Sequence, residues 1–432
     1  MNATSKILIA ALATVVAMPV SAQRLGHERP KDAQPEDMSR NAQTTTTTTT
    51  TTGPITTTGR KLDISKGAQK ALLDLQTAVN ANDVATIPAK LIAARVVAKT
   101  NDDKYLIASL QTRAALAAND NAAIQAGIEA MQASGSAENP DVAARYADLG
   151  KRFQAAGQTD QAVAALNKSL AINANNVPAL IGLAAVKDKQ GQKAEAVALM
   201  QRSFVASKAS GQKIAEGNYK FAAGAAYGLR MPVANDIARQ WVAAYPSPES
   251  WRDSLRIYRD LNRPAQGQLI DLLRLGRAAN ALSGETDYFA LGSALTSAGK
   301  LAEAKSLLVE ARTAPKVDVT KSAFTDIVKK TAAAPTRAVI DATAKTALAG
   351  ANGKAMIDAG DGLYGVGAYA EAVPLYRAAL TKGGEAGLAN LHLGMALARS
   401  GDKAGATAAL GAVTGVNADV ARYWLLWLST KA

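Results

Sequence analysis

The stretch LGKRFQAAGQTDQAVAALNKS, residues 149–169, decides the fold because its pattern of small and large residues returns along the chain. The same spacing starts again 34 residues later at Leu183, and only Lys187 departs from the pattern. It reappears at Leu291, at Ala359 and at Leu393, and the last two starts are again 34 residues apart. Self-similarity at a fixed period of roughly 20 to 50 residues is typical of repeat architectures. We therefore expect one supersecondary unit to be stacked several times.

Each recurring position has a physical reason. With Gly150 taken as the eighth place of a repeat, this small residue and Ala162 at the twentieth place let the two helices of a pair approach closely. Large residues at the eleventh and twenty-fourth places, such as Phe153 and Leu166, fill the space between pairs. Gly157 at the fifteenth place ends the first helix, since glycine adopts a left-handed cap at little cost. No run alternates with period 2, so the pattern predicts helix pairs and no strands.

The pattern resembles the tetratricopeptide repeat family, whose repeat is 34 residues long, over about residues 143–420. The resemblance implies an all-α fold, an α-solenoid of helix-turn-helix repeats in a right-handed superhelix after a disordered N-terminal arm. The repeats are clear at 143–176, 177–210, 285–318, 353–386 and 387–420, and degenerate at 211–284 and 319–352. Residues 62–142 predict N-terminal helix pairs. Residues 421–432 predict a C-terminal helix that caps the last apolar face, although its two tryptophans leave a membrane or partner contact open.

The first 22 residues read as a secretory signal peptide. Lys6 precedes an apolar run from Ile7 to Val20, and small residues follow up to the predicted cleavage after Ala22. A membrane anchor is the alternative, but the run is shorter than the roughly 20 residues that span a bilayer. Residues 23–61, with nine consecutive threonines from Thr44 to Thr52, have no hydrophobic periodicity and predict a disordered Thr-rich linker. We expect an exported protein, periplasmic or secreted, with no membrane-spanning segment after signal cleavage.

The composition narrows the classes of function. The 432 residues contain no cysteine, which excludes disulfides, thiolate nucleophiles, cysteine zinc sites and the lipidated cysteine of a bacterial lipoprotein. The formal net charge of +13 at pH 7 favours anionic partners without naming one. Export would remove the chain from nucleic acid, so nucleic acid is not an expected partner.

Residues suited to catalysis are scarce. His27 lies in the predicted disordered arm and His392 in the first helix of the last repeat, and no second histidine completes an i, i+4 metal pair. Asp358 and Asp361 lie three apart, a spacing that is common on solvated helices. The run from Gly360 to Gly367 has no preceding strand and no closing Gly-Lys-Ser/Thr, so it does not predict a phosphate loop. We expect no enzymatic activity, no cofactor and no metal site.

The resemblance also implies where a partner binds, because in this family the first helix of each pair lines a groove. Carried over to the early repeats, the groove places hold small and mildly basic residues, such as Lys151 and Lys189. In the late repeats they are apolar, and Phe289, Tyr364 and Leu391 are the predicted partner-binding residues. An apolar groove suits an amphipathic helix or an extended peptide. The lysines and asparagines with which some members grip a terminal carboxylate are missing, which argues against that kind of ligand.

The most specific candidate site is a row of four arginines on one predicted helix: Arg252, Arg256, Arg259 and Arg263. At about 100° per residue they share a sector of roughly 60°, which leaves Trp251 and Tyr258 to pack inward. Guanidinium groups in such a row grip carboxylate or phosphate oxygens in bidentate fashion. In the resembling family the places of the first three face the groove. The alternative is a solvated face that Asp253 and Asp260 balance, and the sequence leaves both interpretations open.

These observations predict a periplasmic scaffold or adaptor that holds an envelope protein or peptide in a concave groove. The alternative is recognition of an anionic envelope polymer, such as lipopolysaccharide, peptidoglycan or an exported polysaccharide, through a basic groove. Binding that weakens steeply with salt would favour the polymer, whereas salt-tolerant binding would favour an apolar protein groove.

Overall fold

The computed structural model describes residues 56–57 and 60–431, with side chains from Leu62 onward. The predicted signal peptide and nearly all of the predicted linker lie outside the described residues, so both stay predictions. The chain divides into two compact units, one ending at Leu183 and the other beginning at Ala184. Each unit is described by itself.

The described part of the first unit contains helices that follow one another through short turns. They are α1 Gln69–Asn80, α2 Ile87–Val97, α3 Asn101–Ala117, α4 Asn121–Ala133, α5 Asn139–Ala155 and α6 Thr159–Ile172, and α7 Val177–Lys189 crosses the unit boundary. The start of α3 shows how the sequence sets these ends, because the Thr100 hydroxyl accepts from the Asp103 amide and Asp103 accepts from the Thr100 amide. Such a capping box satisfies two of the free amides at a helix start.

The second unit continues in the same manner. Its helices are α8 Lys193–Ser210, α9 Glu216–Gly228, α10 Ala234–Ala244, α11 Pro248–Asn262, α12 Gln266–Ala278, α13 Glu285–Ser297, α14 Leu301–Ala311, α15 Thr325–Thr331, α16 Arg337–Ala349, α17 Gly353–Gly365, α18 Tyr369–Thr381, α19 Ala386–Ser400, α20 Lys403–Gly411 and α21 Ala418–Thr430. Two 3₁₀ turns, Ser322–Phe324 and Gly415–Asn417, precede α15 and α21. The degenerate segment 319–352 thus holds a short helix and a long one. The all-α fold class is confirmed.

The recurring small residues act as predicted, and the structure adds which large residue each one meets. A Cβ atom added to Gly150 of α5 would lie 2.6 Å from the side chain of Leu166 on α6. The same holds for Gly394 of α19, whose added Cβ would lie 2.5 Å from Leu410 on α20. The large residue at the twenty-fourth place therefore packs on the glycine of its own pair. Leu166 also meets Gly182 of the next pair, where an added Cβ would lie 3.0 Å from its side chain, as expected of a residue that fills the space between pairs.

The glycines at the fifteenth place all have positive φ, as the pattern predicted. They are Gly157 (74°), Gly191 (77°), Gly299 (71°), Gly367 (83°) and Gly401 (95°). A residue with a Cβ atom pays a steric cost in this region. The glycine at this place therefore ends the first helix of each of these pairs.

A small antiparallel pair of strands is the β-structure found in the described residues. Thr56–Thr57 pairs with Arg60–Lys61, two residues on each side, inside the predicted linker. The expectation that β-structure is absent is wrong for these four residues. Threonine is β-branched and favours extended backbone, and a two-residue strand is too short to show period-2 alternation.

The last helix, α21, does more than cover the end of the stack. It packs on α19 and α20, and it also contacts α10 and α12 of the same unit. Tyr423 and Trp424 are fully buried, and the indole Nε1 of Trp424 donates to the carbonyl of Asp271 at 3.3 Å. The second unit is therefore closed by contacts between helices far apart in sequence. Within the described residues, no helix combines the length and apolarity that a bilayer crossing requires.

We expect Gly394→Ala and Gly150→Ala to destabilise the fold, because each new methyl group would collide with a buried leucine. Overpacking of this kind costs about 1 to 3 kcal/mol. The matched control is Gly224→Ala in the middle of α9, where an added Cβ meets nothing within 4 Å. That change should instead stabilise by about 0.5 to 1 kcal/mol through helix propensity. Urea unfolding of the three variants checks this, and equal stabilities would contradict the assigned packing.

Candidate functional site

The arginine row lies on α11, and the local sequence explains the start and the orientation of this helix. The Ser247 and Ser250 side chains exchange hydrogen bonds with each other's backbone amides at 3.1 and 3.0 Å, with Pro248 in the first turn. This arrangement is a capping box. Trp251 and Tyr258 are buried, 3% and 6% exposed, so the prediction that they pack inward is confirmed. The arginines are left on the outer side of the helix.

Three of the four predicted arginines line one cavity, and the fourth does not. Arg252, Arg256 and Arg259 form part of the wall of a cavity of about 100 Å³. The remaining wall is mostly aliphatic and comes from α11, α12, the segment that leads into α13 and α13 itself: Leu255, Leu269, Leu272, Leu273, Gly276, Ala281, Leu282 and Asp287. Arg263 follows the end of α11 in a left-handed conformation, φ 47°, and is outside this wall. The site is an apolar cavity with guanidinium groups along one side.

The contacts of Arg252 connect it to the segment before α13. Its Nη1 donates to the Ser283 hydroxyl at 3.0 Å. The Ser283 amide in turn donates to the Asp287 carboxylate at 2.8 Å. A guanidinium group has five N–H donors, so this single bond leaves most of the donors of Arg252 for other acceptors.

The other two arginines are paired loosely with aspartates of the same helix. Arg256 lies 3.6 Å from Asp253, and its guanidinium stacks over the ring of Tyr227 at 5.2 Å. Arg259 lies 3.5 Å from Asp260. All four charged side chains are between 31% and 43% exposed, and pairs of this kind contribute about 0 to 1 kcal/mol. The aspartates thus balance the charge of this face, while three of the arginines share one cavity. Ligand binding by these arginines stays a prediction.

The apolar candidates of the late repeats lie apart from this cavity. Tyr364 is 6% exposed and Leu391 is fully buried, so the expectation that they line an open groove is corrected. They lie in the core that α19 and α21 complete. Phe289 is 39% exposed and packs edge-on against Phe324 at 6.0 Å, so its role in partner binding stays a prediction.

Sequence reasoning missed a cluster of charges in the core of the second unit. Arg274 of α12 lies 2.9 Å from Asp271, and it binds Glu303 of α14 with two nitrogens, at 2.9 and 2.5 Å. All three side chains are only 2 to 3% exposed. The guanidinium also lies under the ring of Tyr364 at 4.9 Å. Two carboxylates and one aromatic ring thus compensate the buried charge of Arg274.

His392 extends this cluster to α17 and α19. Its Nε2 lies 3.1 Å from Asp271, and its Nδ1 lies 2.7 Å from Asp361 as an ion pair rather than a well-directed hydrogen bond. Asp361 also accepts from the Tyr376 hydroxyl at 2.8 Å and pairs with Lys300. The expectation of a solvated pair of aspartates is therefore wrong for Asp361. Its predicted companion Asp358 is exposed and pairs with Lys354 at 2.6 Å.

Burial and charge act in opposite directions on the pKa values in this cluster. Burial lowers the pKa of His392, but Asp361 and Asp271 outweigh it and raise that pKa to about 9. Burial raises the pKa of Asp361, but His392, Lys300 and Arg274 hold it well below its usual range. At neutral pH the imidazole is thus charged between two carboxylates. With His392 4% and Asp271 2% exposed, this trio is built into the core and is not open to a substrate.

The pKa of His392 predicts a loss of stability at alkaline pH. A histidine with a pKa of about 6.5 in the unfolded chain and about 9 in the folded chain stabilises the fold fully below about pH 6.5. That contribution, on the order of 3 kcal/mol, is lost as pH rises through 9. All four tryptophans lie in the second unit, so urea unfolding followed by tryptophan fluorescence reports on this unit.

The same pH series measured on His392→Gln isolates the contribution of the imidazole to stability. We expect the variant to be less stable at neutral pH, because two buried carboxylates each lose one of their charged partners, and to show no such decline between pH 6.5 and 9. A parent protein whose stability is flat over that interval would contradict a charged His392.

Comparisons with known proteins agree with the repeat pattern. Residues 153–203 match the tetratricopeptide repeat family model. Solved structures that match include YrrB, described as a TPR protein with an unusual peptide-binding site, at 14% identity over 57% of this chain and 89% of that one, with a TM-score of 0.21. Another is the TPR2AB domain of yeast Sti1 in complex with pHSP90, at 17% identity over 67% of this chain and 99% of that one, with a TM-score of 0.18.

TM-scores of this size carry no argument about geometry, and no curated protein matches the sequence. The family match covers residues 153–203. Helix pairs whose first helix ends at a left-handed glycine recur as far as Gly401, so the chain contains repeats of the tetratricopeptide type.

Proposed function

We propose that this protein is an exported scaffold that binds a partner protein at the cavity of Arg252, Arg256 and Arg259. The partner segment would place one aliphatic side chain in the cavity and carboxylates on the arginines. The observation that supports this most directly is the combination of an aliphatic wall with three guanidinium groups on one side. Aliphatic contact supplies affinity, and the charged groups select the partner.

The size of the cavity favours a protein segment over a free small molecule. Small-molecule sites generally enclose about 300 to 1,000 Å³, and an engineered cavity of about 150 Å³ accepts benzene. A cavity of about 100 Å³ accommodates one aliphatic side chain. Most of the binding surface must then lie outside the cavity, as it does when a peptide anchors one residue in a pocket.

The charges indicate a carboxylate as the polar part of the ligand. The two arginines of the loose pairs lie 3.5 and 3.6 Å from their aspartates, beyond good hydrogen-bond distance. A carboxylate of a partner would form shorter, bidentate contacts with the same groups. The exchange of a weak exposed pair for a stronger one shielded by the partner favours binding.

An anionic polymer fits this cavity less well, since a polysaccharide has no side chain for the leucine-lined wall. Such a polymer would use the arginines alone, and its binding would weaken steeply with salt. The predicted signal peptide is the basis for proposing the periplasm as the place of action and an envelope protein as the partner.

We expect the triple change of Arg252, Arg256 and Arg259 to Gln to abolish binding with little effect on melting, because these side chains are at least partly exposed. The probe is a panel of short synthetic peptides with a leucine between glutamates. Matched peptides replace the leucine by alanine or the glutamates by lysine. Arg263→Gln is the control, because this exposed arginine lies outside the cavity wall.

The outcomes separate the candidates. Loss of peptide binding in the triple variant, with binding kept in Arg263→Gln, supports the cavity as the site. Binding of alginate that disappears at high salt, without binding of any acidic leucine peptide, would support the polymer. Peptide binding that the triple change leaves intact would contradict the proposal.

Filling the cavity should block binding without any change of charge. A Cβ atom on Gly276 would lie 3.4 Å from Leu282 and 3.5 Å from Leu255, which are ordinary contacts, so a side chain is tolerated there. We expect Gly276→Leu to fold and to lose the leucine peptides, because the new side chain occupies the cavity. Gly224→Leu, at an open position of α9, is the control. Retained binding in Gly276→Leu would exclude an anchor in this cavity.

A further inference from the structure

The first unit carries an apolar helix face that nothing in the described residues covers. Helix α2 is apolar on almost all sides, and it buries Ile87 and Ala94 against its neighbours α1 and α3. On the opposite side Ile92 is 62% and Val96 is 80% exposed. A helix on the surface of a domain usually keeps its apolar side toward the core and a polar side toward water. This face is therefore left without a partner.

The exposed side of α2 has the relief of a surface that packs on a helix. Pro88, Ile92 and Val96 follow one another at intervals of four residues and form a ridge. Ala89 and Ala93 form a parallel row of small residues beside it, and all five are exposed. Rows at i, i+4 spacing are the ridges and grooves by which helices interlock. A neighbouring helix would place its own ridge over the alanines.

Arg95 connects this face to a second cavity. This cavity, about 340 Å³, lies between α2, α3 and α4, and its wall includes Arg95 and Lys104 but no carboxylate. The Nη2 of Arg95 donates to the amide oxygen of Gln111 at 2.7 Å, which orients the guanidinium without neutralising it. The partner of the apolar face therefore meets two cations along its edge.

Charge excludes two partners for the apolar face of α2 that this sequence could itself supply. The apolar run Ile7–Val20 is long enough to cover the face, but residues 1–22 contain Lys6 and no acidic residue. A second copy that paired through α2 would bring Ile87–Val97, which also contains no acid, and would place another Arg95 near the first. Neither supplies a carboxylate for Arg95 and Lys104.

An anionic lipid surface would match the charge but not the shape. Helices that lie in a membrane interface generally carry tryptophan, phenylalanine or leucine on the buried side. The exposed ridge of α2 has only proline, isoleucine and valine, and the alanine row beside it gives little area to a flat surface. The interlocking relief favours a helix.

We propose that the exposed face of α2 and the adjoining cavity dock an amphipathic helix of a different protein, one whose apolar ridge is flanked by glutamates or aspartates. This surface is distinct from the arginine cavity on α11, because all of its residues belong to the first unit. The protein would then bind two partners, one through each unit. Variants on α2 and variants on α11 test the two proposals separately.

The test measures binding of a synthetic amphipathic helix to the whole chain by fluorescence anisotropy. The probe has leucine and alanine rows at intervals of four residues and glutamates along the edge, and a second probe replaces the glutamates by lysines. We expect Ile92→Asp combined with Val96→Asp to weaken binding of the glutamate probe by about tenfold or more. Arg95→Gln combined with Lys104→Gln should also weaken it, and should reduce the preference over the lysine probe.

Val309→Asp combined with Val416→Asp is the matched control, since these side chains are 60% and 80% exposed in the second unit. This control variant should bind the probe with the affinity of the parent protein. All of the variants should have the melting temperature of the parent protein. Several outcomes would overturn the proposal. The first two are equal affinity of all variants for the probe and equal affinity of the parent protein for both probes. A third is a dimer in light scattering that Ile92→Asp and Val96→Asp abolish. The fourth is binding to phosphatidylglycerol vesicles through these residues without binding of the peptide.

Discussion

The second unit depends on the ion pairs that the buried guanidinium of Arg274 forms. Two charges are costly to remove from water, and an ion pair in a core offsets that cost only when its remaining hydrogen-bonding groups are satisfied. Here Asp271 and Glu303 compensate Arg274, and His392 and Asp361 extend the arrangement to α17 and α19. Removal of any one member leaves a buried charge, so the set fixes how four helices align. The same helix α12 presents Leu269, Leu272 and Leu273 to the arginine cavity, so the ionic cluster also positions the floor of the proposed site.

The return of α21 to α10 and α12 has a related consequence. Tyr423 packs edge-on against Tyr258 at 5.4 Å, and Trp424 donates to the carbonyl of Asp271. These contacts join the last helix to α11 and α12, and they bury aromatic side chains that an open stack would expose. The late apolar residues Tyr364 and Leu391 therefore stabilise the fold and are not free to bind a partner. The outer side of α11, where the arginines lie, is open instead.

Local features of the sequence predicted the parts of the fold that short-range geometry decides. A left-handed cap needs glycine at one place, and two close helices need a small residue facing a large one, so Gly157, Gly150 and Leu166 carry readable signals. The spacing of the arginines likewise placed three of them on one side of α11. The ionic cluster was not readable, because Asp271 and His392 are 121 residues apart and no periodicity links them. The sequence around His392 does not distinguish a buried histidine from an exposed one. Only the packing of α12, α17 and α19 shows that it is buried.

The two proposed surfaces have a common construction that gives the basic composition of the chain a definite use. In both, cations lie beside aliphatic residues: Arg256 and Arg259 beside Leu255 and Leu269, and Arg95 beside Ile92 and Val96. An exposed charge pair on its own contributes little, and salt screens it. When an apolar segment covers the aliphatic residues, it excludes water from the neighbouring guanidinium and strengthens its contact with a carboxylate. A partner that lacked either the aliphatic residue or the acid would lose more than that one contact, because the remaining contact would be weakened as well. This physical coupling makes a net charge of +13 compatible with selective binding, since a purely acidic partner would gain only the screened part of the attraction.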